Sequence, residues 1–160
     1  MSATPSKKKM ARNAKSAARL GAVQALYQMD MSQTPLETVI EEFSHHRLGH
    51  EIEGEQFHQA DEPHFNDLVR GVVREQVSID QKIHGALATG WALARIDSTM
   101  RAILRSGVYE LQRCKDVPVK VVINEYVEVA RAFFEGDEPG VVNGVMDKLG
   151  HELRPDEFSK

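Results

Sequence analysis

Cysteine is nearly missing from this 160-residue chain: Cys114 stands alone. A single thiol excludes an internal disulfide and a cysteine zinc cluster. No activating partner adjoins it, so it reads as a buried, inert thiol. Long apolar runs are missing too. None approaches the ~20 residues that a membrane span needs, and the opening MSATPSKKKM lacks the apolar stretch of a secretory signal. The expectation is a cytoplasmic protein without membrane contact. Acid is absent from residues 1 to 29, which carry Lys7, Lys8, Lys9, Arg12, Lys15 and Arg19. That end holds +6 in side chains, and the net charge of −4 leaves −10 for the rest. A basic end on an acidic body suits a nucleic-acid-binding arm, and it is also what a solvated tail looks like.

Catalytic motifs are missing as well. GALATGW, residues 85 to 91, has the glycine spacing of a phosphate loop but puts Trp91 where the lysine must stand. HEIEG, residues 50 to 54, starts like a zinc-protease helix and has Gly54 in place of the second histidine. His45, His46, His50, His58 and His64 crowd one acidic stretch without a rigid ligand spacing, so a solvated loop is expected there, not a metal site. No G-x-S-x-G or G-x-G-x-x-G context occurs. The expectation is a protein that is not an enzyme and has no cofactor.

What is present is helical spacing. No alternating strand series appears, whereas the 3.6-residue period recurs in about seven segments, so the chain reads as all-α. A polar, Lys-rich stretch, 1–10, reads as a disordered basic tail. A first helix spans about 12 to 31 on Leu20, Val23, Leu26 and Tyr27. A second follows a Thr34 cap, with Pro35 at its first position and Glu37 at its third. Residues 44–62 read as a long loop. A third helix uses Phe65, Leu68, Val69, Val72 and Val73, and a fourth begins after a Ser78 cap with Ile79, Ile83 and Leu87. Asp97 caps a fifth carrying Met100, Ile103, Leu104, Val108 and Leu111. Pro118 opens a sixth with Val119, Val122, Ile123, Tyr126, Ala130, Phe133 and Phe134, and a seventh after Pro139 uses Val142, Val145, Met146, Leu149 and Leu153. The expected organisation is one helical domain, 11–160, made of an N-terminal bundle over about 11–77 and a C-terminal bundle over about 78–153.

On the first helix Arg12, Lys15 and Arg19 fall three and four residues apart and form one cationic stripe, with Lys8 one turn back. Cations leading into Leu26 and Tyr27 suit a nucleic-acid backbone beside a protein or base-stacking contact, and a solvated helix end is the plainer reading. On the sixth helix Glu125 interrupts an apolar face made by Val121, Val129 and Ala132. A half-buried carboxylate there needs a cation, and Arg101 or Arg105 on the preceding helix is the expected supplier. Asn124 falls with Glu128 and Arg131 on the polar face. Gly144 in VVNGVMDKL suits a close approach of helices.

Four stretches, AARLGAVQALYQMD (17–30), RAILRSGVYEL (101–111), VPVKVVINEYVEVARAFF (117–134) and VVNGVMDKL (141–149), resemble the NusB family of bacterial transcription antitermination factors in order and spacing. The resemblance covers nearly the whole chain. It implies an all-α pair of packed small helical bundles. It also implies a protein that binds boxA-type single-stranded leader RNA together with ribosomal protein NusE, and that serves the transcription elongation complex in ribosomal RNA synthesis. By the same resemblance the family's basic N-terminus corresponds to Arg12, Lys15 and Arg19, with Lys8 and Lys9 beside them, and the aromatic on the NusE side corresponds to Tyr27. Asp137 corresponds to an RNA-facing position. Val141 stands where the family often has an RNA-contacting aromatic, just before Asn143 and Gly144. Two other readings stay open: the NusB-like module of RNA cytosine methyltransferases, for which no cofactor-binding βαβ unit follows here, and a protein-interaction adaptor without RNA contact.

Overall fold

The computed structural model describes residues 7–46, 60–88 and 91–158, with side chains from residue 14 onward except at 46. The regular structure of these residues is helical throughout. Six α-helices are described among them: α1 (Lys7–Ser32), α2 (Leu36–His46), α3 (Glu62–Ala86), α4 (Ser98–Arg113), α5 (Val119–Phe133) and α6 (Glu138–Leu153), followed by a 3₁₀ turn, Pro155–Glu157. They form two compact units, Met1–Val69 and Arg70–Lys160. The division thus falls at 69/70, inside α3, where a boundary near 77/78 was expected. Helix α1 already runs from Lys7, inside the stretch expected to be a disordered tail.

In the first unit, Ala18, Ala22, Ala25 and Leu26 recur at helical spacing on α1 and are buried, as are Val39, Ile40 and Phe43 of α2 and Phe65, Leu68 and Val69 of α3. The Phe43 and Phe65 rings stack with centroids 5.6 Å apart. Gln33 ends α1 in the left-handed region, φ 57°, and its N–H closes on the Met29 carbonyl at 3.0 Å. Asp61 caps α3: its Oδ1 accepts from the His64 N–H at 3.0 Å, and its own N–H reaches the Ala14 carbonyl at 3.0 Å. Helix α2 starts at Leu36, so Pro35 stands just outside it and not at its first position.

One helix occupies the span where two were expected. No proline or glycine interrupts residues 72–84, and α3 continues past Ser78 with a kink at Glu75 (φ −111°, ψ 17°). The Glu75 carboxylate accepts from Arg113 Nε at 2.9 Å and from Gln112 Nε2 at 2.9 Å. Burial pushes this carboxyl up, but the hydrogen bonds from Arg113 and Arg74 outweigh burial and hold it below the ordinary 4.5.

In the second unit the periodic faces of α4, α5 and α6 are buried at Met100, Ile103, Leu104, Val108 and Leu111, at Val119, Val122, Ile123, Tyr126 and Ala130, and at Val142, Val145, Met146 and Leu149. Asp97 caps α4 through the Thr99 N–H at 2.7 Å. Tyr126 ties α5 to α4, donating to Glu110 Oε1 at 2.8 Å with Ser106 Oγ 2.8 Å away. Phe133, expected on the apolar stripe, is exposed at the end of α5.

Arg154 is the polar centre of this unit. It is 4% exposed, and its guanidinium donates to the carbonyls of Leu111 (2.7 Å), Glu110 (3.0 Å), Cys114 (2.8 Å) and Val117. Those carbonyls lie at the end of α4 and in the turn that follows; Glu110 O also accepts from the Cys114 N–H at 2.9 Å and Cys114 O from the Val117 N–H at 3.1 Å, so the Leu111 and Val117 carbonyls depend most on the guanidinium. Glu157 completes the arrangement: one carboxylate oxygen meets Arg154 at 3.1 Å and the other accepts from the Val119 N–H at the start of α5, 2.9 Å away. The Val119 bond holds the Glu157 carboxyl below its ordinary value against a smaller opposing effect of burial. Arg154→Met takes the guanidinium donors from the buried Leu111 and Val117 carbonyls, at about 1–3 kcal/mol each. We expect a loss of roughly 3 kcal/mol overall, read as a fall of roughly 6–12 °C in Tm; an unchanged Tm contradicts this role.

Candidate nucleic-acid and partner surfaces

Each unit carries one candidate surface. In the first, α1 places Lys8 and Lys9 in its first turn and Arg12 in its second; the side chains of these three lie outside the described residues. Lys15 is half-buried, with Nζ 4.0 Å from Asp61 Oδ2. Arg19 corrects the expected stripe. It is 1% exposed and among the largest fully buried side chains, so it does not belong to a solvent-facing cationic row. A signal existed in the sequence: Arg19 lies three and four residues before Ala22 and Val23, both buried, so its long stem follows the core face of the helix.

The other end of α1 presents apolar surface to solvent. Leu20, Tyr27 and Met31 are 38%, 41% and 58% exposed. With Gln24 between them they follow the i, i+4, i+7, i+11 spacing of one helix face. Leu20 and Tyr27, which share the helical period of Val23 and Leu26, lie on this stripe and not on the buried face. The buried face is shifted around the helix, to Ala18, Ala22, Ala25 and Leu26. This exposed aliphatic and aromatic row is the candidate partner surface of the unit.

In the second unit the start of α6 gathers four of the expected residues. Asp137 is the exposed N-cap residue of α6, and its side chain makes no cap hydrogen bond. Val141 is half-buried, and Asn143 and Gly144 are exposed. Gly144 is a correction: a Cβ built there meets nothing within 4 Å, so no helix approaches it. Close approach occurs at Gly71, where a Cβ would run into the Tyr109 ring, and at Gly107, where it would lie 2.8 Å from Met146 Cε. Beside Asn143 an open pocket of about 280 Å³ lies between α5 and α6.

Of the two cations expected beside Glu125, Arg105 has another carboxylate. Arg105 grips Asp80 with both arms of its fork, Nε to Oδ1 at 2.9 Å and Nη2 to Oδ2 at 3.0 Å, so its carboxylate is Asp80. Arg101 donates to the Leu93, Ala94 and Ile96 carbonyls and to Ser98 Oγ, which pins the turn before α4. Glu125 itself is half-buried. Of the five histidines between residues 45 and 64, His45 is exposed, His64 is buried, and the side chains of the other three lie outside the described residues. No described helix is long and apolar enough to cross a membrane.

These features define an all-α protein of two helical units. The chain belongs to the NusB family, whose family model matches residues 16–151. Among curated relatives it is 53% identical to the transcription antitermination protein NusB of Rhodopseudomonas palustris strain BisB18, over 92% of this chain and 88% of that protein. It is 53% identical to the NusB of Rhizobium johnstonii, over 89% of each chain. Among solved structures, NusB of T. maritima matches with a TM-score of 0.74 at 26% identity, covering 91% of this chain and 97% of that one. A chain in a crystal structure of antitermination factors NusB and NusE with double-stranded RNA shares the fold, with a TM-score of 0.66 at 22% identity over 86% of this chain and 96% of that one.

The stripe separates exposed from core positions on one helix. Tyr27→Asp is expected to leave stability within about 0.5 kcal/mol of wild type, whereas Leu26→Asp, one residue away and buried, unfolds the first unit. Circular dichroism melting checks the pair. Unfolding of Tyr27→Asp would make Tyr27 a core residue.

Proposed function

We propose that this protein is a transcription antitermination factor that binds boxA-type single-stranded leader RNA together with ribosomal protein NusE, within the transcription elongation complex of the cytoplasm. The observation that carries this reading is the division of α1: basic residues occupy its first turns and the solvent-facing row Leu20, Tyr27, Met31 occupies its later ones. The names of the curated relatives support antitermination, and one structural neighbour, which holds NusB with NusE and double-stranded RNA, supports NusE and RNA as partners.

The division has a physical logic. The first 29 residues are the one strongly cationic stretch of a chain whose remainder carries −10. RNA phosphates are therefore drawn to the arm and repelled by the body. Phosphate contacts set affinity and position but carry little sequence information. A protein partner seated on the apolar row adds its own surface to the RNA-binding unit and raises affinity without new cations on this chain.

The salt dependence of RNA binding tests the arm. Each cation engaged on a single strand contributes roughly −0.7 to the log–log salt slope. Replacing Lys8, Arg12 and Lys15 by alanine is therefore expected to flatten the slope by about two units and to weaken binding to all sequences alike. An unchanged slope in the triple variant would place the phosphate contacts elsewhere.

A further inference from the structure

We propose that the pocket between α5 and α6 is a nucleobase subsite, in which Asn124 and Asn143 read one unpaired base of the bound RNA. The inference rests on the RNA-binding function proposed above and adds to it a source of sequence preference.

The pocket is built by two helix faces. Asn124, Val127, Glu128 and Arg131 come from α5, and Pro139, Gly140 and Asn143 from α6. Asn124, Glu128 and Arg131 repeat at i, i+4, i+7 and would be a plain solvated face if α6 did not run alongside. Both asparagines are exposed, and each ends in a carboxamide that donates and accepts at once. That is the chemistry which pairs with the adjacent donor and acceptor of a base edge. The Val127 and Pro139 side chains supply apolar wall, and backbone at Gly140 leaves the rim low. Unpaired bases are recognised by edge hydrogen bonds together with stacking on a planar group, and the Arg131 guanidinium is the planar group of this lining.

Charge decides between a base and a phosphate as the occupant. Arg131 is the one cation among the lining residues, and its Nη1 lies 2.6 Å from Glu128 Oε1, also in the lining. The pair is neutral in sum, and a phosphate entering the pocket would meet the Glu128 carboxylate. A neutral heterocycle meets no such penalty. The pocket also lies on α6 beside the exposed Asn143–Gly144 step, where no side chain covers the helix.

The test uses the full-length protein, the double variant Asn124→Ala/Asn143→Ala, and a boxA-type RNA in which each nucleotide in turn is made abasic. Both asparagines are exposed, so the double variant folds, and its circular dichroism melt is checked first. In wild type one abasic position is expected to weaken binding roughly tenfold. In the double variant that same position loses its effect, the other positions keep theirs, and the salt slope stays as in wild type because no phosphate contact has been removed. An abasic profile identical in the two proteins overturns the subsite while leaving RNA binding intact. A salt slope flattened in the double variant overturns it in favour of a phosphate contact. Failure of wild type to bind the RNA at all overturns the functional reading and the subsite with it.

Discussion

The second unit is organised around one buried guanidinium. A carbonyl buried near a helix end needs a donor that the helix does not supply, and the Leu111 carbonyl near the end of α4, before the turn to α5, is in that position. Arg154, arriving from the end of α6, satisfies carbonyls of that end and turn, while Glu157 takes the first N–H of α5. Three helix ends are joined at one point. Because a charged group is buried only where its hydrogen bonds are made, the register of α6 against α4 and α5 is set there. The buried Ser106–Tyr126–Glu110 chain fixes α5 against α4 a turn or more away.

From that junction the functional surfaces of the second unit follow. With α6 held along α5, the polar row Asn124, Glu128 and Arg131 faces the first turns of α6, and the two together enclose the open pocket. The first unit solves a different problem with the same means. Small residues, Ala18, Ala22 and Ala25, form the packed face of α1, which leaves the larger Leu20, Tyr27 and Met31 free to face solvent. The helix is thereby both a structural member and a platform.

Much of this architecture was legible in the sequence because its causes are local. Helical period predicted the buried faces of α4, α5 and α6 almost residue for residue, and Asp97 announced the start of α4 through a cap that needs only the Thr99 N–H two residues on. Arg154 was not legible, because its partners are backbone carbonyls as far as 44 residues away and carry no side-chain signature. Glycine illustrates the same limit: Gly144 and Gly107 look alike in sequence, yet one faces open space and the other meets Met146. Arg19 shows that charge periodicity alone misleads where a long stem can follow the core face, and Arg105 shows that a cation chooses among carboxylates by tertiary geometry, here Asp80. Within the candidate surfaces, Tyr27 was found from the family resemblance, whereas Leu20 and Met31 needed the structure to show which face of α1 is uncovered.

In the proposed function α1 serves two ligands at its two ends. Side-chain chemical-shift mapping on isotope-labelled protein, titrated separately with boxA-type RNA and with NusE, tests it most directly. NusE is expected to move the signals of Leu20, Tyr27 and Met31 and RNA those of Lys8, Arg12 and Lys15, each set with little response to the other ligand. Signals of Tyr27 and Met31 that stay in place at saturating NusE, while other residues shift, would contradict it.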